Sequence, residues 1–475
     1  LGTPQSADAL IYASDAHPDE FVGAELTEDE RYVFLEISKG FGNSLSWKTP
    51  SDPPTAFRPL YGLDPNVSYS ILGDDGTRIY TLTNKDAPRF RVAWFDVADE
   101  THALHDIVPQ SADKLENASL IGDRFYLLYL HDAHSVVTIV NTEGHPAGSI
   151  DLPGIGSGGL PSAKRRDTVA FYGFASFTYP TTIYRYDTQT GASSVWARPK
   201  IAFDASSYTT ELLFATSKDG TKVPVFVTHS TNMPRDGSTP TILYGYGGFD
   251  ISLTPYFSSA IAMWLQMGGA YAVAVLRGGG EYGEAWHDAG RLSLKQHVFD
   301  DFIGAAQMLI DRKITSTPRL AINGGSNGGL LVGAVETQRP ELFGAAIPEV
   351  GVLDMLRYQK FTIGKAWIPE YGASDASAEQ FAWLYAYSPD HNVKKGTAYP
   401  PTLVMTSDHD DRVFPAHSFK FAALLQWAQA GDAPVLLRVE TKSGHGAGRP
   451  TDKIIEEVAD RYAFLLKNLA FTPNL

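Results

Sequence analysis

Three residue types, spread across the last third of the chain, carry the chemistry that can be read from order alone. Ser326 stands between glycines in Gly324-Gly-Ser-Asn-Gly328, flanked by an apolar strand-like run at 319–322 and a helix-like run at 330–334. A serine hydroxyl is a poor nucleophile until a base takes its proton, and that base needs an acid to orient it. The turn that exposes such a serine at a strand's carboxyl end is sharp enough to exclude a Cβ at its flanking positions, hence the glycines. This Gly-x-Ser-x-Gly turn is the nucleophile elbow of an α/β-hydrolase, whose groups follow in the order serine, acid, histidine. Of 13 histidines, His445 alone follows the last strand-like run, in a loop with glycines at 444, 446 and 448. The preceding strand-like run, 402–406, opens into Ser407-Asp-His-Asp-Asp-Arg-Val413. Asp408, Asp410 and Asp411 are all candidate acids, and order does not separate them. A hard-metal site is the other use of such a cluster, but no second group of carboxylates or histidines complements it. No metal and no cofactor are expected.

Those groups need a scaffold. After residue 208, apolar strand candidates at 270–276, 320–323, 344–347, 402–406 and 435–439 alternate with amphipathic helices at 299–312, 418–430 and 453–469. Apolar strands separated by helices imply a mainly parallel, doubly wound sheet covered on both faces, with its site at the strands' carboxyl ends. Before residue 205 the texture is different. Segments starting at 25, 71, 120 and 164 share a layout of turn, aromatic strand, loop and second strand, with spacings of 46, 49 and 44 residues. That period is the size of a propeller blade; a β-sandwich of the same strands is the alternative. The expected organisation is residues 1–204 as an all-β, partial β-propeller of about four blades and residues 205–475 as the α/β-hydrolase domain.

Composition narrows the function classes. At 475 residues, two domains are the default. A net charge of −15 without a basic stripe argues against nucleic acid or an anionic membrane as partner. The absence of cysteine removes disulfides, thiolate metal sites and a cysteine nucleophile, but says little about compartment. The longest apolar stretch, 258–276, is divided by Gly268 and Gly269 into a helix and a buried strand, each too short to cross a bilayer. Two glycine-rich runs have other readings. Residues 278–283 match Gly-x-Gly-x-x-Gly, but lead into a segment with no apolar helix face, so a structural loop is expected in place of a nucleotide site. Residues 154–159 lack the lysine of a phosphate loop and read as a blade connection.

Taken together, the Ser326 elbow, 408–413 and 443–448, with Leu243-Tyr-Gly-Tyr-Gly-Gly-Phe249, 277–283 and 361–367, resemble the prolyl oligopeptidase family of serine peptidases. The resemblance implies Ser326, Asp410 and His445 as the triad, and Tyr246 with the backbone N–H of Asn327 as the oxyanion hole. It further implies Trp367 as an indole stacking on a substrate proline, with Phe249, Val352, Tyr371, Val413 and Asn327 completing the pocket. Arg412 would hold the carbonyl of the preceding substrate residue. A compact apolar ring with no N–H suits a dry aromatic slot. The implied activity is hydrolysis of short proline-containing peptides on the carboxyl side of proline through an acyl-enzyme. A macrocyclase of the same family, a general esterase and a silent protein-binding scaffold are the alternatives.

The family carries a seven-bladed propeller, whereas about 204 residues precede the hydrolase domain here, and residues 1–6 resemble the middle of a propeller. The expectation is a carboxyl-terminal piece of a larger protein, with a separate chain as one place for the remainder, a naturally closed four-bladed propeller as the alternative, and otherwise a monomer. Residue 1 is not methionine, so cytoplasmic and periplasmic or secreted placements are both left open.

Overall fold

The computed structural model describes residues 2–13, 17, 20–446 and 448–473; Leu1 and Ala447, which belong to the runs compared above, lie outside the described residues. Between Phe21 and Ala197 the described chain forms four antiparallel four-stranded meanders in succession. The first blade runs from Phe21–Leu26 to Arg58–Tyr61, the second from Tyr69–Asp75 to His105–Val108, the third from Lys114–Ile121 to Pro146–Ile150. The fourth runs from a two-residue strand, Ser157–Gly158, to Ser193–Ala197. The glycine-rich run at 154–159 is therefore the entry to the fourth blade.

Each pair of successive blades is glued by its own apolar cluster, which is why the strands are aromatic-rich. Tyr32 and Phe34 of the first blade meet Ile79 and Phe95 of the second. Tyr80 and Leu82 of the second meet Leu120, Phe125 and Leu127 of the third, with Tyr80 edge-on to Phe125 at 5.2 Å. Tyr126 and Ile139 of the third meet Tyr172 and Tyr186 of the fourth. Face-to-face packing of consecutive meanders is propeller architecture, not that of a two-sheet sandwich.

An eight-stranded sheet follows. Its strands are β1 (Tyr208–Thr216), β2 (Lys222–Ser230), β3 (Thr241–Gly245), β4 (Ala270–Ala274), β5 (Leu320–Gly325), β6 (Ala345–Glu349), β7 (Thr402–Ser407) and β8 (Val435–Glu440). They lie in the order β1-β2-β4-β3-β5-β6-β7-β8. The β1–β2 and β2–β4 pairs are antiparallel, and every pair from β4 onward is parallel. The longer helices are α1 (Ser259–Gln266), α2 (Gln296–Asp311), α3 (Asn327–Gln338), α4 (Ala378–Tyr387), α5 (Ala416–Ala428) and α6 (Thr451–Asn468). Helices α2 and α3 cover one face and α1 and α6 the other, each over a separate apolar cluster. This is the doubly wound α/β-hydrolase sheet. The reversal of direction in which the order passes from β4 to β3 and β5 leaves a crevice at the strands' carboxyl ends.

The observed α2 begins three residues before the expected 299, because Val298 and Phe299 are both fully buried in the core and the first turn packs with them. Likewise the apolar stretch near 258–276 resolves into α1 and β4, split at Gly268 and Gly269. No described helix is long and apolar enough to cross a membrane.

Candidate active site

β5 ends at Gly325 and α3 begins at Asn327, so Ser326 forms the whole turn. Its backbone takes φ 60° and ψ −117°, a strained conformation for a residue with a Cβ. The close approach that demands glycine is visible on both sides. A Cβ on Gly324 would lie 2.4 Å from the Gly328 carbonyl oxygen, and one on Gly328 would lie 2.7 Å from that of Gly245. The Ser326 N–H donates to the Glu349 carbonyl at 2.9 Å, extending the β5–β6 pairing up to the serine itself.

The three candidate acids separate cleanly. Asp410 is buried, and its Oδ2 lies 2.7 Å from His445 Nδ1. Its Oδ1 accepts the backbone N–H groups of Arg412 at 3.0 Å and Val413 at 2.8 Å. Asp408 instead faces the ring of His409 at 2.7 Å and the Ser443 N–H at 3.3 Å, and the first of these contacts draws its carboxyl down to about 2. Asp411 is exposed. Ser326 and His445 line one cavity of about 380 Å³ with Tyr244, Glu349, Arg438, Arg449 and Glu457. Among the described residues no hydrogen bond joins Ser326 to His445.

On the other side of Ser326 lies a slot of about 150 Å³ walled by Tyr246, Phe249, Ile251, Val352, Trp367, Tyr371 and Arg412. Phe249 stands edge-on to Trp367 at 6.5 Å and to Tyr371 at 5.4 Å, while Tyr358 backs Trp367 in a stacked arrangement at 6.2 Å. Ile251, which sequence reasoning missed, joins this wall two residues after Phe249. Val413 sits one layer behind it: its N–H is held by Asp410 and its side chain enters the core with Val352 and Tyr371.

Tyr246 lines the slot together with Ser326. Burial, and then the Glu370 charge, push the Tyr246 hydroxyl up to about 12, so it remains a donor at any ordinary pH. The Asn327 side chain does a different job from its backbone. Its Nδ2 donates to the Tyr246 carbonyl at 2.5 Å and its Oδ1 accepts the Tyr371 hydroxyl at 2.8 Å, locking two slot residues together. As the first residue of α3, Asn327 has a backbone N–H with no acceptor inside the helix.

A buried ionic group lies beneath the slot. Lys295 Nζ donates to the Gly247 carbonyl at 2.8 Å and to Glu370 at 3.2 Å, and His287 Nε2 meets the second Glu370 oxygen at 2.8 Å. Burial works against the Glu370 charge, but Lys295 and His287 together hold the carboxyl below its usual range. From the first blade, the Phe41 ring stands edge-on to His287 at 4.5 Å. The 278–283 run is a second bridge to the blades: Tyr282 donates to Asp132 at 2.8 Å, and Glu284 pairs with Asn84. It is a structural loop between the two architectures. No cluster that could hold a metal ion occurs among the described residues.

A strained serine beside a His–Asp pair, at the carboxyl end of this sheet and under a propeller portion, defines an α/β-hydrolase of the propeller-bearing class. Residues 255–472 match the model of the prolyl oligopeptidase family, and residues 1–199 match that of the prolyl oligopeptidase N-terminal β-propeller domain. The chain is 43% identical over 468 residues to a prolyl endopeptidase of Elizabethkingia meningoseptica, covering 98% of this chain and 66% of that protein. It is 35% identical to the dual function macrocyclase-peptidase POPB of Galerina marginata, covering 99% of this chain and 66% of the relative. A solved prolyl endopeptidase structure, 44% identical, superposes with a TM-score of 0.94, covering 99% of this chain and 69% of its own. Prolyl oligopeptidase B from Galerina marginata, bound to a hydrolysis and macrocyclization substrate, gives 0.95 at 34% identity, covering 100% of this chain and 69% of its own. The chain belongs to the prolyl oligopeptidase family, and it spans just under two thirds of the length of the two curated relatives.

Proposed function

We propose that this chain carries the catalytic apparatus of a serine peptidase that cleaves short peptides on the carboxyl side of proline. In this reading residues 205–475 are the hydrolase unit and residues 1–204 a propeller portion of four blades. The observation that carries the proposal is the adjacency, across Ser326, of the His445–Asp410 pair and the Trp367 slot. Ser326 Oγ attacks the prolyl carbonyl carbon while His445 Nε2 takes its proton. The carbonyl electrons move onto oxygen, where the Tyr246 hydroxyl and the Asn327 N–H receive the charge. Collapse re-forms the carbonyl and expels the amine, which leaves with the proton returned by His445. Water then repeats the sequence to release the acid. Trp367, Phe249, Val352 and Tyr371 grip the proline ring, and Arg412 reaches the carbonyl of the residue before it. The glycines at 444, 446 and 448 let the histidine loop close on Ser326 once substrate is present, as catalytic hydrogen bonds commonly tighten only in the complex.

A peptidyl-prolinal aldehyde tests this directly, because it should inhibit and leave a hemiacetal on Ser326. Undiminished activity in Ser326→Ala would sink the mechanism, and a preference for simple acyl esters over prolyl amides would sink the substrate. The likeness to a dual-function macrocyclase-peptidase favours one second reading, in which a substrate amine replaces water in deacylation. Product mass, linear plus water or cyclic, separates the two.

A further inference from the structure

The cavity behind Ser326 is walled by a run of charged side chains that touches all three reacting segments. It begins at the nucleophile strand. The Glu349 carbonyl accepts the Ser326 N–H, and the Glu349 carboxylate accepts Asn323 Nδ2, three residues before the serine, at 2.6 Å. Arg461 Nη2 on α6 donates to the same carboxylate at 3.0 Å and to Glu457, one turn earlier, at 3.2 Å. Glu457 in turn receives Arg449 Nη1. Arg449 Nη2 donates to Ser407 Oγ at 2.8 Å and reaches the Gly444 carbonyl at 3.4 Å. Ser407 ends the strand that leads to Asp410, and Gly444 precedes His445.

We propose that Arg449 is the positioning residue for His445, holding the histidine loop in register with the acid strand and, through Glu457, Arg461 and Glu349, with the nucleophile strand. This inference rests on reading Ser326, Asp410 and His445 as the reacting groups. The loop needs such a hold. Residues 441–446 contain no helix or strand; Lys453 Nζ holds the Thr441 carbonyl at the loop's start, and Asp408 and His409 hold Ser443, but apart from Arg449 only the His445–Asp410 pair ties residues 444–446 among the described residues. A planar guanidinium can serve Glu457 on one nitrogen and the acid strand and loop carbonyl on the other, which a lysine ammonium cannot do with fixed directions. The network also leaves Nε of both Arg449 and Arg461 buried without a partner, a cost that simple clamping of a surface helix would not require.

The test measures kcat and KM on a prolyl amide for the full chain, per active site titrated with a serine-directed phosphonate. Arg449→Met should lower kcat about tenfold to hundredfold with KM nearly unchanged, the loss expected from displacing a catalytic group by a fraction of an ångström to an ångström. Glu457→Gln should give a smaller loss of the same kind, and the double variant should be no worse than Arg449→Met. On an activated prolyl ester in a His445→Ala background, Arg449→Met should cause no further loss, because it acts through the imidazole. Should Arg449→Met fail to fold, Glu457→Gln decides by the same kcat-against-KM comparison. An unchanged kcat per titrated site, or an additional loss in the His445→Ala background, overturns the proposal. A parent chain whose Ser326 is not labelled by the phosphonate overturns the site reading and this inference with it; normal labelling with equally fast variants overturns this inference alone.

Discussion

Asp410 meets His445 through one carboxylate oxygen at 2.7 Å while its other oxygen is committed to two backbone N–H groups of the turn that follows. The acid therefore cannot rotate away from the imidazole without breaking two hydrogen bonds, and the tautomer that leaves Nε2 free to accept a proton is enforced by the backbone. Asp410→Asn should accordingly reduce kcat by about ten-thousandfold. Asp408→Asn should leave kcat nearly unchanged, since Asp408 pairs with the exposed His409 ring and the Ser443 N–H and, among the described residues, makes no hydrogen bond with His445. Steady-state kinetics on one prolyl amide compare the two directly, and similar losses in both would contradict the assignment.

Tyr246 offers a hydroxyl where charge is expected to develop. Tyr246→Phe should lower kcat by about a hundredfold to a thousandfold with little change in KM. Because the hydroxyl titrates only near 12, the parent enzyme should show no loss of this donor between pH 6 and about 10. A fall in KM-limited binding with kcat intact would place the tyrosine in substrate binding instead.

Trp367 is half-buried in the slot, stacked on Tyr358 with Phe249 edge-on to it. Trp367→Ala should reduce the preference for prolyl over alanyl amides by about tenfold or more, while leaving Ser326 as reactive toward a phosphonate as before. Selectivity, measured as a ratio of kcat/KM values, is the quantity to follow.

How far the sequence reached is clearest at these same residues. Ser326 and His445 stand out as candidates because each sits in a glycine-rich turn after an apolar run, and such turns are local signals. Asp410 could not be separated from Asp408 and Asp411 by order, because the distinction lies in which carboxylate the Arg412 and Val413 N–H groups happen to hold. The parallel strands were legible from their unbroken Val, Ile and Ala runs, and the blades from their period. Lys295, His287 and Glu370 carried no local signal at all. They are spread over more than 80 positions and acquire meaning only when the fold buries them together. Ile251 escaped for the opposite reason: an isolated isoleucine after Phe249 looks like any other loop apolar residue.

The Lys295–Glu370 pair is dry, and breaking it should be expensive. Lys295→Met should destabilise the fold by about 3–5 kcal/mol in urea unfolding, because it leaves the Glu370 carboxylate short of a partner in the interior. The double change with Glu370→Gln should recover part of that loss. A single variant as stable as the parent would show that the pair contributes nothing.

Glu336 supplies a pH signature that belongs to the fold alone. It is buried in α3 with one oxygen receiving the Thr402 hydroxyl and the other without a partner, and burial raises its carboxyl from 4.5 to about 8. Between those values the folded chain keeps a proton that the unfolded chain has lost, so this residue's contribution to stability is present below pH 4.5 and is lost as pH rises toward 8. Glu336→Gln should remove that slope. The difference in unfolding midpoint, variant minus parent, should grow from pH 4.5 to 8 and then level off; a constant difference would mean that the carboxyl titrates normally.

The ring of Phe41 has a consequence for stability, because a first-blade side chain closes one side of a buried charge group of the sheet domain. Lys295 joins that group to the Gly247 carbonyl, one residue from Tyr246, so the packing of the first blade and the placing of the slot draw on the same few contacts.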